Sequence, residues 1–186
     1  MDNQVMMAIV IVVAVGLVVA AVWMVMRRRQ TMALRQKFGP EYEHVLRSKG
    51  TPSEAERELL ERERRVSSFA LRPLSAEDAE HFTSAWRTVQ AHFVDDPRAA
   101  VVDADRLIAD VMRARGYPVE EPDRRLDDLS VEHAHVVNHY RDANAIMARH
   151  ERGEASTEDM RQAMVHFRAL FEELVAAPHR ITRRAS

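Results

Sequence analysis

Hydrophobic and polar positions divide the chain into one unbroken apolar run and a succession of amphipathic segments. Positions 5–26 read VMMAIVIVVAVGLVVAAVWMVM, with Gly16 the one residue outside the apolar set and no charge. As a helix rising about 1.5 Å per residue the run spans roughly 33 Å, enough for a hydrocarbon core of about 30 Å. This predicts a transmembrane helix that continues through Gln30 to Gln36. Phe38-Gly39-Pro40 should break it, because Gly and Pro are poor in helix interiors and Pro restricts the residue before it.

Beyond the break the pattern is helical, with no alternating apolar strands or Gly-rich hairpins. A short helix is expected over 41–48, stopped by Gly50. Thr51-Pro52-Ser53-Glu54 then opens a second, in which Thr51 caps, Pro52 takes the first turn and Glu54 reaches back. Ser75 with Asp78 starts a helix over 76–94, and Asp96-Pro97 starts one that runs to Arg115 and ends at Gly116. Positions 117–121 read as a connector and 123–129 as one or two turns. Ser130 is placed as the cap of a helix over 131–151, ended by Gly153; Ser156 with Asp159 opens a last helix that stops before Pro178.

Four of these helices carry an apolar stripe at helical spacing. Phe82, Trp86, Val89 and Phe93 form one; Val101, Leu107, Ile108 and Met112 another; Val136, Val137, Tyr140 and Met147 a third; Met160, Met164, Phe167 and Phe171 the fourth. Trp86, Phe93, Ile108, Tyr140, Phe167 and Phe171 are the expected core. The segment SEAERELLERERR differs, being charged almost all round with a thin apolar edge of Ala55, Leu59, Leu60 and Val66, and reads as an exposed helix. Two readings follow for it: a spacer or two-chain coiled coil between membrane and bundle, and a solvated helix lying on the domain. Glu58 with Arg62 and Glu61 with Arg65 stand four apart in the stabilising order. The expected organisation is all-α: a transmembrane anchor and basic juxtamembrane segment at 1–37, a short helix and charged connector helix at 38–75, a compact bundle at 76–178 and a basic disordered tail at 179–186.

Charge gives the anchor a direction. Arg27, Arg28, Arg29, Arg35 and Lys37 make 27–37 strongly basic, whereas positions 38–179 hold 19 basic and 28 acidic residues. Basic residues beside a span stay on the cytoplasmic side, so the N-terminus is expected outside and the C-terminal domain in the cytoplasm, with Trp23 at the interfacial belt. A cleaved secretory signal would place positive charge before a shorter apolar stretch; here only Asp2, Asn3 and Gln4 precede it. If the leader were cleaved, the product would be a secreted helical protein. The same basic cluster could also meet anionic lipid head groups. An acidic body repels phosphates, which argues against nucleic acid as a partner.

Candidate chemistry is sparse. With no cysteine there is no disulfide framework, thiolate catalysis or Cys-type zinc site. Glu132, His133, His135, His139 and Asp142 crowd onto the predicted 131–151 helix. His135 and His139 would share a face at the spacing that presents two imidazoles to one metal, with Glu132 and Asp142 a turn away. The order is not His-Glu-x-x-His, however, and a solvated polar face is the simpler account of these residues. Asp96-Pro97 is a helix start rather than half of a catalytic acid pair; Glu120-Glu121 and Asp127-Asp128 read as exposed connector charge. No phosphate loop, nucleophile elbow, dinucleotide fingerprint or calcium loop occurs, so no catalysis and no cofactor are inferred.

Taken together, Phe38-Gly39-Pro40-Glu41-Tyr42, Leu71-Arg72-Pro73-Leu74-Ser75, Phe93-Val94-Asp95-Asp96-Pro97, Arg115-Gly116-Tyr117-Pro118 and Gly153-Glu154-Ala155-Ser156-Thr157-Glu158-Asp159 give the chain a resemblance. It resembles an uncharacterised family of bacterial single-pass or signal-bearing helical proteins, often labelled hypothetical or secreted. The resemblance covers most of 34–175 and implies a membrane segment ahead of a helical domain, with no activity, cofactor or site residue to carry over. The expected function is a membrane-tethered interaction or scaffold module whose partners are the bilayer and another protein or a second copy of itself. The alternative is a metal-dependent hydrolase or metal sensor built on Glu132, His135, His139 and Asp142.

Overall fold

The computed structural model describes residues 2–176; the side chains of residues 2–5, 8–10, 12, 122 and 123 fall outside the description, as does the expected basic tail at 179–186. Among the described residues the chain forms eight α-helices and no strand: α1 (Asp2–Phe38), α2 (Pro40–Lys49), α3 (Pro52–Ser67), α4 (Ala76–Asp95), α5 (Pro97–Ala114), α6 (Pro122–Glu132), α7 (Val137–Glu151) and α8 (Thr157–Ala176). Local chemistry sets most of the boundaries. Thr51, Ser75, Asp96 and Ser156 each accept a backbone N–H of the first turn that follows, which removes orphan donors that a helix start otherwise leaves to water.

Helices α4, α5, α7 and α8 close the larger core. Trp86 stacks on Phe171 with ring centroids 4.8 Å apart, and Ile108, Tyr140 and Phe167 are buried around them. Phe93 is only partly buried, at the edge of this core near the exposed Val94.

A second core lies between the first three helices and α6. Leu34 and Phe38 of α1, Tyr42 and Val45 of α2, Ala55, Leu59 and Val66 of α3, and Val131 of α6 pack into it. Of the two readings of α3, the structure has the helix lying on the domain rather than standing apart as a spacer. Its narrow apolar edge is seated on α2 and α6, and only the opposite face meets solvent. Phe69 and Leu71, in the linker after α3, pack against both cores and join them. The linker is pinned further where the Arg72 backbone N–H and Nε donate to the Arg115 and Ala114 carbonyls at 3.0 and 2.9 Å.

The expected single helix over 131–151 is two helices. Helix α6 runs through Ser130, which is therefore no cap; its hydroxyl donates to the Asp127 carbonyl. The chain leaves helical geometry at His133 and turns through residues 133–136 before α7 begins. The break separates residues of the two cores: Val131 belongs to the second and Val137 to the first.

Helix α1 is continuous from the apolar run into the second core. Val13, Val15, Leu17, Val18, Val19, Val22 and Trp23 are exposed along it, whereas Leu34 and Phe38 are buried. Among the described residues no helix is long and apolar enough to cross a membrane, and the described side chains take in only part of the 5–26 run.

Candidate functional site

The end of α1, the α6–α7 turn and the last turns of α8 surround a cavity of about 400 Å³. Lys37, Pro40, Arg115, Tyr117, His133 and His135 line it, together with Glu173 of α8, which contacts both histidines. The fold brings Arg115 and Tyr117 here through the turn that ends α5. Gly116, at φ +90°, reverses the chain there, and the Tyr117 N–H bonds back to the Met112 carbonyl.

Three polar atoms in these walls have no hydrogen-bond partner: Arg115 Nε, Tyr117 Oη and His133 Nε2. Their residues are 4%, 3% and 3% exposed. Each such group carries a desolvation cost of about 1–3 kcal/mol, so a cluster of three is uncommon in a packed interior. One Arg115 guanidinium nitrogen donates to the Leu174 carbonyl at 2.6 Å, and among the described residues no carboxylate forms an ion pair with it. Burial pushes the Arg115 pKa down, although a guanidinium stays charged at neutral pH. Burial also raises the Tyr117 hydroxyl, which therefore remains protonated.

His133 Nδ1 lies 2.9 Å from Glu173 Oε1, and His135 Nε2 lies 3.2 Å from Glu173 Oε2. Burial lowers the His133 pKa and outweighs the bond to Glu173, so the ring is neutral at pH 7. Burial acts to raise the Glu173 carboxyl, but the bonds from His133 and His135 hold it below the usual range. An ionised carboxylate only accepts; His133 Nδ1 must donate, and Nε2 carries the free lone pair. The walls thus offer one cationic donor, one neutral acceptor and one hydroxyl able to do either.

Beside this cavity a buried ion-pair network ties the helices together. Glu41 at the start of α2 is fully buried and accepts from Arg62 of α3 at 2.9 Å and Arg141 of α7 at 2.7 Å. Arg62 also reaches Asp127 at 2.7 Å and Glu58 at 3.3 Å, and Arg65 holds Asp128 at 2.9 Å. The reading of Asp127-Asp128 as exposed connector charge is corrected: Asp128 is buried, Asp127 is half-buried, and both join α6 to α3. Desolvation raises both carboxyls against the pull of their arginines. Arg65 turns to Asp128 rather than to Glu61 four residues earlier.

The residues proposed from sequence as metal ligands do not converge. His135 stands in the turn with Glu173, Glu132 ends α6, and Asp142 is exposed on α7. His139 faces His166 of α8, with their Nδ1 atoms 3.0 Å apart. Because the 131–151 helix is broken, His135 and His139 share no helical face, and among the described residues no group of three or more His, Asp or Glu is arranged to hold a metal ion. Trp23, Arg27, Arg28 and Arg29 are exposed on α1, with the Arg27 guanidinium 5.1 Å from the Trp23 ring centroid. Sequence reasoning passed over Arg115, Tyr117 and Glu173, which come from distant segments; the one local hint was the Arg115-Gly116-Tyr117-Pro118 turn. No family model matches the chain, and no curated protein or solved structure is significantly similar to it.

Proposed function

We propose that the chain is a single-pass membrane protein, N-terminus outside, that holds a helical interaction or scaffold domain against the cytoplasmic face of the cell membrane. The observation that carries this reading is the division of α1. Over positions 13–26 its large apolar side chains are exposed along the helix, and a contiguous apolar surface of this kind calls for a covering phase. The run continues toward the N-terminus in the sequence to position 5, which gives a length suited to lipid. Immediately after it Arg27, Arg28 and Arg29 form no ion pair among the described residues, whereas Arg35 and Lys37 are paired with Glu43 and Glu63. Unneutralised arginines at that point suit the cytoplasmic interface.

The domain would then sit close to the lipid. Thr31, one turn beyond Arg27, already bonds to Glu56 of α3 at 2.6 Å. Tethering raises the effective concentration of any partner at the same membrane, which gives an anchored binding domain a role without catalysis. The acidic body presents a surface for a protein partner or a second copy of the chain. Kinship with the single-pass helical family suggested by the sequence is part of the same proposal.

The test is extraction and topology in one strain. The full chain should stay in the membrane pellet after alkaline carbonate, and a reporter fused after Ser186 should work only when it is cytoplasmic. Release of the chain into the soluble fraction, or reporter activity confined to the periplasm, would overturn the proposal. In the intact cell, crosslinking should trap the domain with another protein or with itself; a chain that remains uncrosslinked would count against the scaffold role.

A further inference from the structure

We propose that the cavity between α1, the α6–α7 turn and α8 is a binding site for a small zwitterion of the amino-acid class. Its walls carry Arg115 as a cation and Glu132 as an anion, neither in an ion pair among the described residues, while Lys37 is held by Glu63 and Glu173 by His133 and His135. A simple anion would be repelled by Glu132 and a simple cation by Arg115. A molecule that carries both charges a few ångströms apart matches the set.

Each ligand group has a partner in the wall. Arg115 has an uncommitted Nε–H and no carboxylate paired with it among the described residues, so it takes the ligand carboxylate in the fixed donor geometry of a guanidinium. His133 has its Nδ1 committed to Glu173, which leaves Nε2 to accept from the ligand ammonium, with Glu132 supplying countercharge. The Tyr117 hydroxyl can donate to the carboxylate or accept from the ammonium. Leu71 and Ala134 give the ligand side chain an apolar surface, and about 400 Å³ is room for an amino acid. The three uncommitted atoms lie within the wall rather than at its surface, so binding includes a small turn of their side chains toward the ligand.

The site does not depend on the membrane reading, because it is formed entirely by the packed domain and the buried end of α1. It is tested on the full chain purified in mild detergent, titrated calorimetrically with the common amino acids one at a time and with acetate and methylammonium as the two halves of the ligand. At least one amino acid should bind saturably, one per chain, and each half-ligand at least about tenfold more weakly. Tyr117→Phe, which removes only an unpartnered hydroxyl and so preserves the fold, should weaken that binding about 3- to 10-fold, as should His133→Gln. Circular dichroism of both variants should match the parent. No binding by any amino acid at millimolar concentration, half-ligands that bind as well as the whole, or unchanged affinity in both variants would each overturn the proposal.

Discussion

Gly116 carries two demands at once. Its backbone is left-handed at φ +90°, and a Cβ built there would lie 2.5 Å from the Ala70 carbonyl oxygen. The neighbour is backbone in the linker that joins the two cores, so relief requires the linker to move. Gly116→Ala should lower stability by more than about 1 kcal/mol, the ordinary cost of the conformation alone, read as a shift of the urea midpoint at unchanged slope. The first demand was legible in the sequence as a helix stop after Arg115. The second was not, because nothing local announces that Ala70 returns to this spot. His133 gives a pH signature. Burial sets its folded pKa below the unfolded value of about 6.5, so as pH falls the unfolded chain takes up the proton first. The stability it contributes is present above about pH 6.5 and is lost as pH falls through the folded pKa. Arg115, Glu132 and Glu173 are the charged groups that bear on it. Asp105, Asp127 and Asp128, raised by burial, act with the opposite sign: protonation favours the folded chain, and that contribution is lost as pH rises through their folded pKa. Comparison of the parent with His133→Gln isolates the histidine: between about pH 7.5 and about pH 5.5 the parent should lose more unfolding free energy than the variant.

Among the elements, the helices with capping signatures were legible at their starts, because Thr51, Ser75, Asp96 and Ser156 act on N–H groups two or three residues away. The α6–α7 break was hidden. Residues 131–136 contain neither Gly nor Pro, and every one of them is acceptable in a helix; the break falls where the chain passes from one core to the other, between Val131 and Val137. Likewise α3 looked solvated because its sequence is mostly charge, but several of those charges point at other helices rather than at water. Arg62 and Arg65 hold acids on α2 and α6, contacts that no spacing rule reaches. The network makes a strong prediction at Glu41. Its removal in Glu41→Ala leaves two guanidinium groups facing a buried gap, and should cost about 3 kcal/mol in denaturant unfolding. Combining Glu41→Ala with Arg141→Ala should cost less than the sum of the single changes, because the two residues share one interaction.

For the whole molecule the decisive contact is between α1 and the rest. Phe38 and Leu34 are core residues of the second cluster, so the helix that begins in the apolar run ends as part of the domain. Phe38→Ala should destabilise by about 3–5 kcal/mol, the usual range for emptying a buried aromatic site. The loss should fall first on the second core, with protease cutting in the α2–α3 region before the α4–α8 bundle yields. The sequence showed that an apolar helix precedes a helical bundle, and where the four stripes of the bundle lie. It gave no sign that α1 shares a core with α2, α3 and α6, because Leu34 and Phe38 follow a basic stretch that reads as a boundary. That shared core turns α1 into a drive shaft. On the membrane reading proposed above, a roll of α1 carries with it the helices seated on Phe38, so one alanine inserted between Arg29 and Leu34 should swing the packed domain by about 100° around the shaft and point a different flank at whatever waits beside it.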